Sequence, residues 1–375
     1  MKIGFDAKRA YQNFTGLGNY SRDLIEHLIK EYSDNEYFLF APKDSENSRL
    51  DFLSNYDNTY SIFPQNKLNK TFKGLWRTIN MEKSIIKNDV DIFHGLSNEI
   101  PRVKNKKIPY VVTIHDLIFK RFPRNYRSID RKIYNIKYKY AVKHADLTIA
   151  ISEQTKQDIV EFYKIKPESI KVIYQTCHEN FRKEYSKEDI DFTKKKFNLP
   201  KDFMLNVGTI ETRKNLISII NAMSVMKMDV PLVVVGKKTQ YMNFLKIQMK
   251  KMNFDSKKII FLENVSIDEL PIIYSLSSLF LYPSLFEGFG IPILEALNCK
   301  TPVISSKGSC FQEAGGEFSK YIDSENREEF AFQIEECLTN NKLRESMIIG
   351  GLKHAENFQP NKISKKLIDV YESLV

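Results

Sequence analysis

The chain has 375 residues, more than the ~250–300 that a single hydrophobic core supports, so we expect two domains. Its hydrophobic content of 42% is typical of a globular protein, and no apolar run approaches the ~18 residues that span a bilayer. Asp6 appears before any signal-peptide-like stretch, which predicts a cytoplasmic protein. The spacing of the four cysteines does not match a zinc site, so we interpret them as reduced apolar residues.

The net charge of +10 is unevenly distributed. Residues 61–144 hold 19 of the 57 Lys and Arg residues but only 6 of the 47 Asp and Glu residues. A basic region of this kind suits nucleic acid, an anionic membrane or an acidic substrate. The alternative is a solvated, lysine-rich surface without a partner.

In the first half of the chain, short apolar runs alternate with helical patterns, which indicates parallel α/β architecture. Predicted strands are Lys2–Ala7, Tyr37–Ala41, Val90–His94, Tyr110–Ile114, Leu147–Ile151 and Ile170–Ile173. Predicted helices are Asn19–Lys30, Tyr126–His144 and Glu153–Tyr163.

The stretch from about Arg182 to Pro200 is charged and aperiodic, and we interpret it as an interdomain linker. A second α/β series follows. Its predicted strands are Phe203–Val207, Leu232–Val235, Lys258–Phe261, Ser278–Tyr282 and Val303–Ser305. Its predicted helices are Asn215–Met226, Ile267–Ser275, Glu328–Thr339 and Lys342–Asn357, with a last amphipathic helix after Pro360.

Two doubly wound domains are therefore predicted, 1–182 and 183–359, with the helix 360–375 added to the first. Ligands of such sheets bind outside the carboxyl ends of the strands. The cleft between two such domains is where a small-molecule site is expected.

The strongest candidate site is Glu287-Gly-Phe-Gly-Ile-Pro-Ile-Leu-Glu295, which follows a predicted strand. The glycines allow close approach of the backbone, and the helix N-terminus that follows suits a diphosphate. Glu295 is placed to bind a ribose diol, and Glu287 lies at the sugar end of the same ligand. The backbone of this loop is expected to contact the same ligand at Gly288, Phe289, Gly290 and Ile291. The alternative is an ordinary strand-to-helix turn.

This segment resembles the E-x7-E motif of retaining GT-B glycosyltransferases of family 4, and the resemblance extends over nearly the whole chain. It implies the α/β GT-B fold, with two Rossmann-like domains facing across a cleft. It also implies an acceptor-binding N-terminal domain, a donor-binding C-terminal domain, and a last helix that packs back on the first domain. The nucleotide base is expected to meet main chain near Gly236 and Val265.

The second candidate element runs from Gly208 to Asn215 and holds Arg213 and Lys214 side by side. Two cations after a strand suit a departing diphosphate, and the resemblance supports this role. The most common family version has arginine directly after the glycine, where this chain has Thr209, so Lys214 is the safer match. The alternative is a basic helix start on the surface.

Three further candidates lie in the first domain. His115 ends a buried strand, and the resemblance places a histidine there near the transferred sugar; the alternative is a satisfied core histidine. His94 ends the preceding strand and has a weaker match. Gly16 and Gly18 separate the first strand from the first helix, which favours a phosphate or acceptor loop over a plain loop.

We expect no metal and no cofactor beyond the nucleotide-sugar substrate. Asp89-Val-Asp91 and Asp189-Ile-Asp191 match a metal-binding DxD pattern, but the first opens a strand and the second lies in the linker. In GT-B enzymes, cationic residues and helix dipoles stabilise the leaving diphosphate.

The predicted activity is transfer of a hexose from a nucleoside diphosphate sugar to a glycan or lipid-linked glycan in surface polysaccharide synthesis. The resemblance favours GDP-mannose over UDP-sugars. Two basic aromatic segments, Lys67–Lys87 (with Leu68) and Lys120–Lys143, suit the inner face of an anionic membrane as well as plain core packing. The alternatives are a nucleic-acid-binding protein, which lacks a recognisable module here, and an epimerase or phosphorylase of the same architecture.

Overall fold

The computed structural model describes residues 1–45 and 47–375, without the side chains of Lys67, Leu68 and Lys73. The chain divides into an N-terminal unit, Met1–Thr176 with Phe358–Val375, and a C-terminal unit, Cys177–Asn357. The C-terminal unit begins before the expected boundary at 182, because Phe181 is buried against Tyr274 of that unit, with ring centroids 5.8 Å apart.

The N-terminal unit contains a seven-stranded parallel sheet in the order β3-β2-β1-β4-β5-β6-β7. Its strands are β1 (Lys2–Asp6), β2 (Glu36–Phe40), β3 (Thr59–Ile62), β4 (Ile92–Gly95), β5 (Tyr110–Ile114), β6 (Leu147–Ala150) and β7 (Ile170–Val172). Its helices are α1 (Lys8–Gln12), α2 (Gly16–Glu31), α3 (Lys67–Thr71), α4 (Lys73–Leu75), α5 (Met81–Lys87), α6 (Ile118–Arg121), α7 (Ser128–His144) and α8 (Glu153–Tyr163). A π-helical turn, Trp76–Asn80, joins α4 to α5.

The C-terminal unit contains a six-stranded parallel sheet in the order β10-β9-β8-β11-β12-β13. Its strands are β8 (Met204–Val207), β9 (Leu232–Val235), β10 (Ile259–Leu262), β11 (Leu279–Tyr282), β12 (Val303–Ser306) and β13 (Lys320–Ile322). Its helices are α9 (Lys187–Phe197), α10 (Leu216–Met223), α11 (Tyr241–Lys251), α12 (Glu269–Leu276), α13 (Ile291–Asn298), α14 (Phe311–Gly315), α15 (Arg327–Thr339) and α16 (Asn341–Ala355).

Both sheets have the Rossmann strand order, in which the direction of winding reverses beside the first strand. The reversal falls between β1 and β4 in the N-terminal unit and between β8 and β11 in the C-terminal unit. In open α/β sheets, ligands bind outside the carboxyl ends of the strands at this switch point. Each unit therefore has one edge where a site is expected on topology alone.

The last helix, α17 (Pro360–Glu372), belongs to the N-terminal unit. Ile363, Leu367 and Tyr371 on its apolar face are buried in the same core as Ile25 and Leu28 of α2. The chain thus returns to the first unit. Burial of this apolar face stabilises the fold by roughly 25 cal/mol for each Å² of apolar surface removed from water.

The prediction of an aperiodic linker from about Arg182 to Pro200 is wrong, because this stretch contains helix α9. Ser186 caps this helix by accepting a hydrogen bond from the Asp189 amide at 3.1 Å. Acidic residues occupy its first turn and lysines its last, which complements the helix dipole. Asn198 ends the helix in the left-handed conformation with φ 47°. Local end signals, not an apolar stripe, therefore define α9.

Other differences are smaller. Helix α2 begins at Gly16, three residues before its predicted start, so Gly16 and Gly18 lie in its first turn. The edge strands β3 and β13 and the helix α11 were not predicted, and β3 has no fully buried residue to mark it.

Candidate functional site

The switch point of the C-terminal unit is occupied by a carboxylate held between two cations. Glu287 Oε1 lies 2.6 Å from Lys214 Nζ, and Oε2 lies 2.6 Å from Arg213 Nη1. Oε1 also accepts hydrogen bonds from Ser284 Oγ at 2.7 Å and Tyr282 OH at 3.0 Å. The sequence brought Glu287, Arg213 and Lys214 to attention, but not the two hydroxyl donors at the end of β11.

Two loops that follow adjacent strands build this cluster. Arg213 and Lys214 lie in a 3₁₀ turn between β8 and α10, and Glu287 lies between β11 and α13. The Arg213 carbonyl accepts the Leu285 amide at 2.8 Å, while its guanidinium donates to the Phe286 carbonyl at 2.8 Å. Arg213 is therefore fixed by backbone contacts as well as by charge.

The charges in this cluster shift the pKa of Glu287 strongly. Burial alone would raise this pKa, but Lys214 and Arg213 lower it to about 2, so the carboxylate is ionised. Burial would also lower the pKa of Arg213, and Glu287 reverses that shift and raises it. Two cations and one carboxylate leave one formal positive charge, and Glu211, paired to Arg213 at 2.7 Å, is more exposed than they are. The arrangement suits an anionic ligand.

The glycine loop has the backbone that the sequence suggested. Gly290 has φ 100°, a left-handed conformation that disfavours any side chain, and caps the start of α13. Gly288, Phe289 and Gly290 are buried and Ile291 is half-buried, so this loop is packed and not a mobile flap. The Glu287 carbonyl is approached at 3.2 Å by both Ser309 Oγ and Cys310 Sγ.

Glu295 is half-buried in the second turn of α13, and its Oε2 accepts a hydrogen bond from Tyr274 OH at 3.0 Å. Tyr274 is fully buried, and burial together with Glu295 raises the pKa of its phenol, which stays protonated as a donor. The carboxylate is thereby held in one orientation. Sequence reasoning did not identify Tyr274 as its partner.

The remaining donor candidates lie at the same edge of this sheet. Gly208 has φ 147°, and a Cβ there would lie 3.3 Å from the aliphatic stem of Lys214. A Cβ on Gly236 would lie 1.9 Å from the Gly208 carbonyl oxygen, which no side chain tolerates. Val265 is half-buried just beyond β10. Close backbone approach therefore requires Gly236 at the end of β9, whereas the positive φ favours glycine at Gly208, just after β8.

His115, in the N-terminal unit, is 4% exposed and has both ring nitrogens paired. Nε2 lies 2.8 Å from the Leu96 carbonyl, so it carries the proton, and Nδ1 accepts from Gln175 at 2.9 Å. Burial lowers the pKa of His115 to about 4. A sugar hydroxyl would have to replace one of these partners, so contact between His115 and the sugar stays a prediction.

His94 lies in the core of the N-terminal unit with no exposed surface. Its ring nitrogens lie 2.6 Å from Tyr371 OH and 2.8 Å from Thr113 Oγ1. Burial lowers its pKa to about 3. Because Tyr371 belongs to α17, the geometry gives His94 a structural task, which is anchoring the last helix to β4 and β5.

Gly16 and Gly18 both lie in the first turn of α2 but differ in their surroundings. A Cβ on Gly18 would lie 1.8 Å from the Asn13 carbonyl oxygen, whereas a Cβ on Gly16 would meet nothing within 4 Å. Gly18 is thus required for packing against the segment that follows α1. A ligand role for Gly16 and Gly18 stays a prediction.

In residues 1–45 and 47–375, no three His, Cys, Asp or Glu side chains are grouped as a metal site would need. Asp91, of the first DxD pattern, accepts the Lys2 amide at 2.7 Å, and Asp189, of the second, accepts a hydrogen bond from the hydroxyl of the capping residue Ser186 at 2.6 Å. Absence of a metal requirement stays a prediction. None of the helices in the described ranges is both long enough and apolar enough to cross a bilayer.

The fold and this site define a class. The family model for glycosyl transferases group 1 matches residues 187–354, and the model for glycosyltransferase family 4 matches residues 14–177. Each match covers most of one unit, and together they cover most of the chain. The protein belongs to the family 4, group 1 glycosyltransferases and is a glycosyltransferase of the GT-B fold.

The names of individual relatives are more specific than the two family models. The chain is 24% identical over 386 residues to O-antigen chain mannosyltransferase B of Escherichia coli, covering 100% of both chains. It is 29% identical over 236 residues to O-antigen chain mannosyltransferase RfbU of Salmonella typhimurium, covering 63% of this chain and 61% of the relative. The crystal structure of Anabaena Alr3699/HepE in complex with UDP-glucose superposes with a TM-score of 0.75 at 18% identity, covering 100% of both chains.

Proposed function

We propose that this protein transfers mannose from a nucleoside diphosphate donor to a hydroxyl of a surface polysaccharide, with retention of anomeric configuration. The observation that carries the proposal is the pair of cations fixed on Glu287 at the switch point of the C-terminal unit. The mannosyltransferase names of two relatives support the sugar, and GDP-mannose is the donor we favour. We propose that neither a metal nor a further cofactor takes part.

The roles follow from charge and position. Arg213 and Lys214 stabilise the diphosphate as negative charge grows on it during departure, because fixed cations need no reorganisation at that moment. Glu287 positions both cations, and its contact with the donor sugar is part of the same proposal. Glu295, held by Tyr274, accepts hydrogen bonds from the ribose diol.

Retention needs either a nucleophile or attack from the face that the diphosphate leaves. Glu287 is a poor nucleophile, because its carboxylate oxygens are engaged by two cations and two hydroxyls. We therefore favour same-face displacement, in which the leaving phosphate oxygen accepts the proton of the acceptor hydroxyl. The new glycosidic bond forms as the sugar–phosphate bond breaks, and the nucleoside diphosphate carries that proton away.

Donor binding is tested by thermal shift of the full chain with UDP, GDP, ADP and their sugars. One nucleoside diphosphate should raise the melting temperature of the wild type but not that of Glu295→Ala. Glu336→Ala is the matched control, since Glu336 is a surface glutamate of the same unit paired with Lys320 at 3.7 Å. No response to any nucleotide would overturn the proposal.

We also propose that the N-terminal unit binds an anionic membrane surface that carries a lipid-linked acceptor. Helix α7 exposes Ile129, Ile133 and Ile136 by 60%, 42% and 68%, and their spacing places them on one face. The neighbouring basic residues on this helix are exposed at Lys132, Lys139 and Lys143. An apolar stripe beside lysines is complementary to anionic lipid, where each cation contributes about 1 kcal/mol.

Sedimentation with phosphatidylcholine vesicles, with and without phosphatidylglycerol, tests this surface. Binding should require the anionic lipid and fall at least about tenfold in Ile129→Asp, because one isoleucine contributes roughly 1.5–3 kcal/mol on burial. Ile349→Asp is the control, since Ile349 is 63% exposed on α16 of the other unit. Equal loss in both variants would show that α7 is not the binding face, and salt-sensitive binding to DNA with no binding to vesicles would favour the nucleic-acid alternative.

A further inference from the structure

A buried tyrosine at the end of β11 contacts both the carboxylate and the lysine of the donor site. Tyr282 OH accepts a hydrogen bond from Lys214 Nζ at 2.6 Å and donates one to Glu287 Oε1 at 3.0 Å. Lys214 Nζ and Glu287 Oε1 also lie 2.6 Å from each other. The three groups therefore form a triangle in which a neutral phenol bonds to both charged partners.

Packing fixes the position of this hydroxyl. The Tyr282 side chain is 1% exposed, and its ring stacks on Phe280 with centroids 5.7 Å apart. Phe311 meets the ring edge to face at 6.1 Å. Burial and Glu287 raise the pKa of Tyr282 well above its ordinary value, so the phenol keeps the proton that it donates. The hydroxyl therefore has little freedom to move or to change its charge.

This hydroxyl restricts the direction of the Lys214 ammonium. A lysine has three N–H groups. Within the part of the chain that the structure describes, Lys214 Nζ donates to two acceptors, Tyr282 and Glu287, and lies 4.9 Å from the centroid of the Tyr282 ring. Because the ammonium is tetrahedral, two fixed N–H groups determine where the third one points. With a single acceptor the ammonium would rotate about that bond, since the lysine stem is flexible.

The second acceptor also leaves the charge of Lys214 in place. A second carboxylate would neutralise the ammonium, whereas a phenol orients it and adds no negative charge. A cation that is already oriented stabilises a developing anion well, because nothing has to reorganise as the charge grows. The pairing with Tyr282 therefore suits a lysine that acts on a leaving group.

We propose that Tyr282 is a positioning residue that aims the third N–H group of Lys214 at the departing diphosphate. The proposal rests on the proposed glycosyl transfer, in which Lys214 stabilises that group. Negative charge on the leaving phosphate is larger in the transition state than in the bound donor. The contribution of Tyr282 therefore falls on the chemical step more than on donor binding.

The test is the kinetics of GDP release from GDP-mannose by the full chain, with water as the acceptor. If thermal shifts identify another nucleotide sugar, that donor takes its place. Tyr282→Phe keeps the ring and its packing but removes the hydroxyl. It should lower kcat by about 10–100-fold and change the donor KM by less than about threefold, because the lost hydrogen bond to a charged group acts in the transition state.

Tyr321→Phe is the matched control. Tyr321 OH, in the same unit, donates to the backbone carbonyl of Gly316 at 2.7 Å, so its loss should leave kcat as in the wild type. Ser284→Ala is a second comparison, since Ser284 Oγ donates to Glu287 Oε1 at 2.7 Å. This change leaves both acceptors of Lys214 in place and should lower kcat less than Tyr282→Phe does.

A double variant separates positioning from packing. When Tyr282→Phe is combined with Lys214→Ala, the rate should equal that of Lys214→Ala alone, because no ammonium is left to aim. A further loss in the double variant would overturn the proposal. An unchanged kcat in Tyr282→Phe, or a KM that rises as much as kcat falls, would also overturn it.

The remaining outcomes separate this inference from the proposed function. A Tyr282→Phe protein without a cooperative thermal transition would show that the hydroxyl serves the fold, which contradicts the positioning role. If Lys214→Ala slows the reaction and Tyr282→Phe does not, this inference alone fails. If the wild type releases no nucleotide from any nucleotide sugar, the inference fails together with the proposed function.

Discussion

The two units share one strand order, yet their switch points have opposite charge arrangements. In the C-terminal unit, one carboxylate lies between two cations, Arg213–Glu287–Lys214. In the N-terminal unit, one cation lies between two carboxylates, Asp6–Arg77–Glu99, and Lys137 also pairs with Glu99. The first arrangement suits a diphosphate, whereas in the second each carboxylate is already paired with the arginine. The same topology therefore carries two different charge arrangements, and the loops after the strands decide which.

The comparison predicts different costs for losing the central arginine of each unit. Arg77→Met should lower the free energy of unfolding by about 3–5 kcal/mol, because Asp6, 1% exposed, loses its cation. Arg213→Met should cost less, since Glu287 keeps Lys214. Urea unfolding followed by fluorescence of Trp76, the chain's single tryptophan, reports the N-terminal unit.

In that experiment the Arg213→Met protein should show a Trp76 transition close to that of the wild type. A shift as large as that of Arg77→Met would mean that the two charge clusters do not act separately.

Loss of Lys214, the cation proposed to bind the diphosphate, should affect catalysis more than folding. Lys214→Ala is expected to slow sugar transfer by about 10²–10³-fold, the size seen when one preorganised donor to a developing oxyanion is removed. Lys258→Ala is the control, since Lys258 is a surface lysine at the amino end of β10, paired with Asp229 at 2.7 Å. Initial rates with labelled donor measure the effect, and an unchanged rate in Lys214→Ala would remove this residue from the site.

Acid should destabilise the N-terminal unit first. Burial lowers the pKa values of His94 and His115 to about 3 and about 4, so the folded state keeps both rings neutral. The unfolded chain takes up protons below pH ~6.5, and stability is lost as pH falls from there toward the folded values. At pH 5 each ring should cost about 2 kcal/mol. The pKa of Glu287 is lowered to about 2 in the folded protein, so the stability that this carboxylate adds should be lost only below about pH 4.5.

The Trp76 unfolding midpoint at pH 7 and pH 5 measures this loss. His94→Gln should show a smaller pH dependence than the wild type, whereas His144→Gln, at an exposed position, should not. Identical slopes for all three proteins would show that His94 is not the titrating group.

The smallest expected effect concerns the first turn of α2. Gly16→Ala should stabilise the protein by a few tenths to about 1 kcal/mol, because alanine loses less backbone entropy in a helix and nothing lies within 4 Å of the new Cβ. Gly18→Ala should destabilise it by about 1–3 kcal/mol, since its Cβ would collide with the Asn13 carbonyl. Thermal unfolding measures both, and weaker nucleotide binding in Gly16→Ala would support the phosphate-loop interpretation.

Much of the fold could be read from the sequence, because buried parallel strands are short apolar runs. The predicted strand Leu232–Val235 and the predicted helix Glu153–Tyr163 have the observed bounds. Elements with weak apolar patterns were missed: the edge strand β3 has no fully buried residue, and α9 buries only Thr193. For α9 the end signals were visible at Ser186 and Asn198, but the charge of the segment was weighted more heavily.

For the site, the sequence by itself determined the residue types and their order: two adjacent cations after one strand, and glycines between two glutamates after another. It could not determine that Glu287 binds both cations, that Tyr274 holds Glu295, or that His94 bonds to a tyrosine 277 positions away. The sequence did not predict the cluster of Asp6, Arg77 and Glu99, since its members lie up to 93 positions apart and match no local pattern. Tertiary structure decided these pairings, because strand order in the sheet, not distance along the chain, brings strand ends together.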